Sequence, residues 1–197
     1  MDFNKDTRIQ AIDYIIRNSS NTHSLDKISI LKLLFFADRY HLRKYGRTIS
    51  NDSYCAMQNG PVASKTYDLL KSISNEQELE KDGLYNIKSR GAFLEREDYD
   101  CLSDTDIEAL DFSINNFSKF SSKELIRISH LYPEWKRFEK ELTKINTSYA
   151  IQIDDFFSKT TEDTKEYEII PRNQVALNQE LIHGKLWNAR YSIIKSS

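Results

Sequence analysis

Five glycines, three prolines and two cysteines are all that this chain of 197 residues holds of those types. So little glycine leaves no Gly-rich phosphate loop, and no G-x-S-x-G nucleophile turn occurs either. The two cysteines, Cys55 and Cys101, lie far apart in no metal or redox spacing. That excludes a disulfide scaffold and fits a reducing compartment. The longest apolar run, Leu33 to Ala37, is too short to cross a membrane. The opening MDFNKDTR has no apolar core of a secretion signal. An excess of either charge is also missing, with 28 basic against 30 acidic residues and a pI near 6.1. A surface built throughout for nucleic-acid phosphate shows a strong basic excess, so this balance argues against one. The expectation is a soluble cytoplasmic protein with no membrane partner.

What is present is a helical pattern. From Ser29 to Gly46 the sequence reads SILKLLFFADRYHLRKYG. Ile30, Leu33, Leu34 and Ala37 form one stripe, Leu31, Phe35 and Leu42 a second, and Phe36 and Tyr40 fill the gap. A helix apolar nearly all round is packed by neighbours on several sides. Ser29 is the expected N-cap and Gly46 the left-handed stop, with Arg43 and Lys44 at the negative end of the helix dipole. The predicted fold is therefore mainly α: a compact multi-helix domain around a central helix over 29–45.

Around it the chain supplies further elements. Ile9, Ile12, Ile15 and Ile16 predict an amphipathic first helix within Thr7 to Arg17. Thr48 to Ala56 reads as extended, and Asn59-Gly60-Pro61 as strong punctuation. Pro61 is placed at the first position of a third helix carrying Val62, Thr66, Leu69 and Leu70. Leu84, Tyr85 and Ile87, then a Gly-containing turn and Ala92 to Leu94, predict a small β-hairpin over 84–94. Ser103 to Asp106 begins another helix, and Ser121-Ser122-Lys123-Glu124 matches a capping box. Pro133 opens a further turn bearing Trp135 and Phe138. Ile145, Ile151, Ile153, Phe156 and Phe157 are expected to close the core. Ser158 to Glu168 is polar and linker-like. The expected division is a domain over 1–158, then a linker and tail over 159–197. The tail carries Leu177, Leu181, Ile182, Leu186 and Trp187, which dock on the domain, dock on a partner, or stay loose.

Chemistry-bearing residues are sparse. His23, His41, His130 and His183 show no metal-ligand spacing, and no cofactor is implied. Cys55 with His41 or His130 is a nominal thiol pair, but a small buried thiol is the simpler reading. Asp38, Arg39 and His41 interrupt the central helix. Asp38 and His41, three apart, share a face and can pair with each other or with a neighbouring loop. They form either a buried network that fixes packing or a polar recess for a partner.

Taken together, three stretches resemble a known family. They are KLLFFADRYHLRKYGRTI; Asp52-x-Tyr54-x-Ala56 with Gly60-Pro61-Val62-x-Ser64-x-x-Tyr67; and Ser129-His130-x-x-Pro133-x-Trp135. Residues 5 to 158 resemble the SocA-like antitoxin domain, also called Panacea, shared with phage-associated proteins. The resemblance implies a mostly helical fold with a small β element. It implies an antitoxin that neutralises a toxin encoded beside it, by direct binding or, in one branch, by delivering it to a protease with its unfoldase. It implies no catalytic set. The candidate partner residues are Asp38, Arg39, His41, Asp52, Tyr54, Gly60, Pro61, Ser64, Tyr67, His130 and Trp135, with Leu181 and Trp187 in the tail. Two readings compete with an antitoxin: a DNA-binding autoregulator, and a small thiol or acid–base enzyme around Asp38, His41 and Cys55.

Overall fold

Helix α2, Lys27–Tyr45, runs through the middle of the molecule, and every residue from Ser29 to Arg43 on it is buried. The computed structural model describes residues 3–19, 25–76, 84–85, 99–158 and 172–195. Helix α1, Phe3–Asn18, packs on α2, and so does α4, Asp104–Phe117. The chain is mainly α, as predicted. Leu34 and Phe35 are wholly buried. Phe35 lies within 5.3–6.2 Å of the Phe36, Tyr54, Tyr132 and Phe156 rings. Phe36 stacks on Phe117 at 4.1 Å and Tyr40 on Phe112 at 4.2 Å, which fastens α4 to α2.

The ends of α2 divide between expectation and correction. Gly46 ends it in the left-handed region at φ 79°, donating its N–H to Leu42. The N-cap is Asp26 rather than Ser29: its carboxylate accepts the Ser29 N–H at 2.7 Å. Asp and Ser cap comparably well, and the Ser29 hydroxyl is instead 3.2 Å from that of Ser122. The predicted capping box forms, Ser121 with Glu124 on α5, Ser122–Ser129, and a second one, Ser103 with Asp106, opens α4. Pro133 opens the single turn α6, Pro133–Lys136.

The β structure differs from expectation. Strands β2, Tyr54–Met57, and β3, Gly60–Ala63, form a hairpin around Gln58-Asn59, and β5, Ser148–Ala150, adds on the other side of β2. Pro61 therefore sits in a strand and does not start a helix; α3 begins at Ser64 and runs to Glu76. Proline is tolerated there because β3 is an edge strand. In the predicted 84–94 hairpin, Leu84–Tyr85 is a strand, β4, but it pairs with β1, Leu25–Asp26. Residues 86–94 lie outside the described residues.

Ile151, Phe156 and Phe157 close the core as expected, the last two on a 3-10 turn over Ile153–Phe157. Ile145 and Ile153 do not, being 91% and 39% exposed. Ile145 lies in a run of exposed residues over 143–148, and Ile153 is flanked by exposed Gln152 and Asp154. The linker after Ser158 lies outside the described residues up to helix α7, Arg172–Lys195. That helix docks on α2. Val175 and Ile182 are buried, and the Asn178 amide donates to the Arg43 carbonyl at 2.9 Å. Leu177 and Leu181 face away, about half exposed, and the Trp187 side chain lies outside the described residues.

Leu34→Ala is expected to destabilise the protein by about 2–5 kcal/mol, the range for emptying a core site, measured by chemical denaturation. Deleting residues 159–197 should lower the melting temperature, because it uncovers the surface under Val175 and Ile182 and frees the Arg43 carbonyl. An unchanged melt would mean that α7 adds nothing to the fold.

Candidate functional site

The polar residues of α2 are placed first by their partners. Asp38 is wholly buried and accepts the backbone N–H groups of Ile49 and Ser50 at 2.7 and 3.0 Å, the Tyr54 hydroxyl at 2.7 Å, and the Ser50 hydroxyl. Burial still pushes its carboxyl up to about 6, and pushes the Tyr54 phenol well above its usual range. Arg39, also wholly buried, pairs with Glu134 at 2.6 Å and lies 4.3 Å over the Tyr132 ring. His41 Nδ1 is 2.8 Å from the Arg47 carbonyl, which can only accept, so this nitrogen carries the proton. Nε2 then accepts from the Thr105 hydroxyl at 3.0 Å, and burial holds the imidazole below its usual pKa. Asp38 and His41 thus pair with the loop after α2 and not with each other. With Arg39 they form a buried network that fixes packing. None of the three presents surface to a partner.

Other motif residues hold the backbone. Asp52 accepts the N–H groups of Lys65 and Thr66 at 3.1 and 2.8 Å and the Thr66 hydroxyl at 2.9 Å, capping α3 from outside it. Ser64 donates its N–H to Ser53 at 2.9 Å, and its hydroxyl lies 3.4 Å from the Cys55 thiol. That thiol faces a hydroxyl, while His41 is engaged elsewhere. Trp135 donates its indole N–H to Met57 at 2.7 Å, tying α6 to the β2–β3 hairpin. The His130 ring lies flat on Trp135 at 3.5 Å. Its buried Nε2 has no hydrogen-bond partner among the described residues. Burial and the nearby Lys32 charge bring its pKa down to about 4, so it is neutral.

A residue that sequence reasoning did not single out lies in the same corner. Lys32 is only 1% exposed and donates to the Pro61 carbonyl at 2.7 Å. Among the described residues no acidic group pairs with it. Burial lowers its pKa to about 7. The sequence signal was a lysine among apolar residues one turn inside a buried helix. Gly60 makes room for it. At φ +99° a side chain is strained, and a Cβ there would sit 2.7 Å from Lys32 Nζ and 2.5 Å from the Ser129 hydroxyl.

Lys32 also lines a cavity of about 210 Å³ between the start of α2, the β2–β3 turn and α3. Its walls include Leu31, Val62, Met57 and Tyr67. Lys27 and Lys71 lie 5.3 and 5.4 Å over the half-exposed Tyr67 ring. Among the described residues no aspartate or glutamate lines it. A larger cleft of about 320 Å³ lies between Asn4, Arg47 and Cys101. Its charges are already paired, Arg47 with Asp106 at 2.9 Å and Asp100 with Gln10. The smaller cavity is the one with an unmatched charge.

Residues 30–136, more than half of the chain, match the family model for the antitoxin SocA-like, Panacea domain. The chain belongs to the SocA-like antitoxin family. No curated protein and no solved structure matches it. Of the cavity residues named above, Leu31, Lys32, Met57, Val62 and Tyr67 fall within the family segment, as does the buried α2 network, while Lys27 precedes it. Among the described residues of this Panacea chain, no cluster of His, Cys, Asp and Glu could hold a metal, and no helix is long and apolar enough to cross a membrane.

Lys32→Met tests the unmatched charge through pH. Folded Lys32 loses its proton near 7, whereas its ordinary value is 10.5. Between these values the unfolded chain binds more protons, so stability rises with pH across that window. The wild type should therefore gain melting temperature relative to Lys32→Met between neutral pH and pH 9 to 10. A constant difference in paired melts would show that Lys32 keeps an ordinary pKa.

Proposed function

We propose that this SocA-like protein is an antitoxin that neutralises a cognate toxin protein by direct binding, without catalysis. We place the toxin on the face made by Lys27, Tyr67 and the β2–β3 turn. The observation that carries this placement is the cavity beside Tyr67, most of it within the family segment, with two lysines and, among the described residues, no acid in its lining. An aromatic ring on an apolar recess, rimmed by charge, is the usual anchor of a protein interface. Leu177 and Leu181 on α7 offer a second, separate apolar contact. Binding comes first whether the toxin is then occluded or handed to a protease and its unfoldase. A DNA-binding autoregulator is less well supported, since the chain carries a net charge of −2. The non-enzymatic reading draws on the same packing: Cys55 lies beside Ser64, and the imidazole of His41 is hydrogen-bonded to Arg47 and Thr105.

Tyr67→Ala tests this. The protein from the adjacent reading frame is co-expressed with wild type or variant, and growth and complex formation are measured. The variant should melt nearly as the wild type does, yet bind about thirtyfold more weakly, the effect of losing an aromatic anchor worth about 2 kcal/mol. Undiminished protection by Tyr67→Ala would remove this face from the interface.

A further inference from the structure

Lys32 is a buried cation with no counter-ion among the described residues. An ammonium has three donors, and one of them is used, on the Pro61 carbonyl. A charge taken from water without a partner costs stability, and removing it for a well-packed apolar group is often stabilising. Every other ionisable group on the buried face of α2 has a fixed partner: Asp38 has four donors, Arg39 has Glu134, His41 has Thr105 and the Arg47 carbonyl, and Arg43 donates to the Phe156 carbonyl at 2.7 Å. Nearby His130 is neutral and offers no negative charge. Lys32 lines the cavity, and Lys27 lines it too.

We propose that this cavity is a receptor for a carboxylate on an apolar stem, supplied by an acidic side chain of the partner protein. The inference rests on the partner-binding reading of this face and names the chemistry of the group that enters. The walls choose the stem: Leu31, Val62 and Met57 take methylene groups, and Tyr67 covers them. The base chooses the charge. A carboxylate beside Lys32 gives the ammonium its missing partner, and Lys27 adds a second positive charge at the rim. A phosphate fits less well, because its recognition draws on arginine forks or several backbone N–H groups, and among the described residues no arginine lines this cavity. Entry also removes the cost of the unpaired charge, so the acidic group gains affinity from a defect already present in the free protein.

The test uses the full chain and butyrate as probe, with butyramide as the uncharged control and inorganic phosphate as the alternative anion. Backbone amide NMR shifts of Met57 to Asn59 and the titration of the Lys32 ammonium are followed. Butyrate should move these amides and raise the Lys32 pKa, butyramide should do neither, and Lys32→Met should abolish the amide response. Lys32→Met should melt no earlier than wild type at neutral pH, so a lost response is not a lost fold; should it prove unfolded, the wild-type comparison of butyrate with butyramide decides alone. Equal responses to butyrate and butyramide, no response to either, or a stronger response to phosphate would each overturn the proposal. With the adjacent-frame protein, Lys32→Met should weaken binding at least about thirtyfold, as expected when one side of a buried charge pair is lost. A full butyrate response together with unaffected binding of that protein would sink the partner reading of this face while leaving the carboxylate receptor intact. Weakened binding without a butyrate response would do the reverse.

Discussion

Helix α2 is enclosed over Ser29–Arg43, so each polar atom on it must find its partner within the fold. Five ionisable side chains share that enclosure: Lys32, Asp38, Arg39, His41 and Arg43. Their partners come from parts of the chain far away in sequence: Asp38 gathers the 49–54 segment, Arg39 reaches α6, and Arg43 reaches the 3-10 turn. The helix thereby dictates where the later segments lie. Apolar packing alone would hold them near α2, but it is non-directional. The buried hydrogen bonds select one arrangement, since leaving any of these groups unpaired costs free energy.

The family motifs are, on this view, largely a description of that arrangement. Asp52 caps α3, Tyr54 satisfies Asp38, Trp135 ties α6 to the hairpin, and Gly60 leaves room for the Lys32 ammonium. Most of the motif faces inward. What it presents outward is a short hairpin turn, a half-exposed tyrosine between two lysines, and a small recess above a buried charge.

The sequence by itself determined the helices and most of their ends. The stripes of α2, the glycine stop at Gly46, two capping boxes and the proline at Pro133 are signals within a few residues of the structure they specify. Such signals are legible because the interactions that they encode are local. The motifs themselves were enough to suggest the family. Two local readings failed where a distant partner competed. Ser29 lost the cap to Asp26, and Pro61 became an edge strand because β2 lies beside it. Only the tertiary structure decided the roles of the polar residues. Asp38, Arg39 and His41 read in the sequence as either a buried network or a polar recess for a partner, and each is wholly buried against groups that the fold brings from elsewhere. Lys32 looks like an ordinary lysine of a helix face. It becomes a buried charge with no counter-ion among the described residues because the 57–62 hairpin closes over it and brings a carbonyl and no carboxylate. Burial and pairing are properties of the whole packing, and no window of sequence contains them.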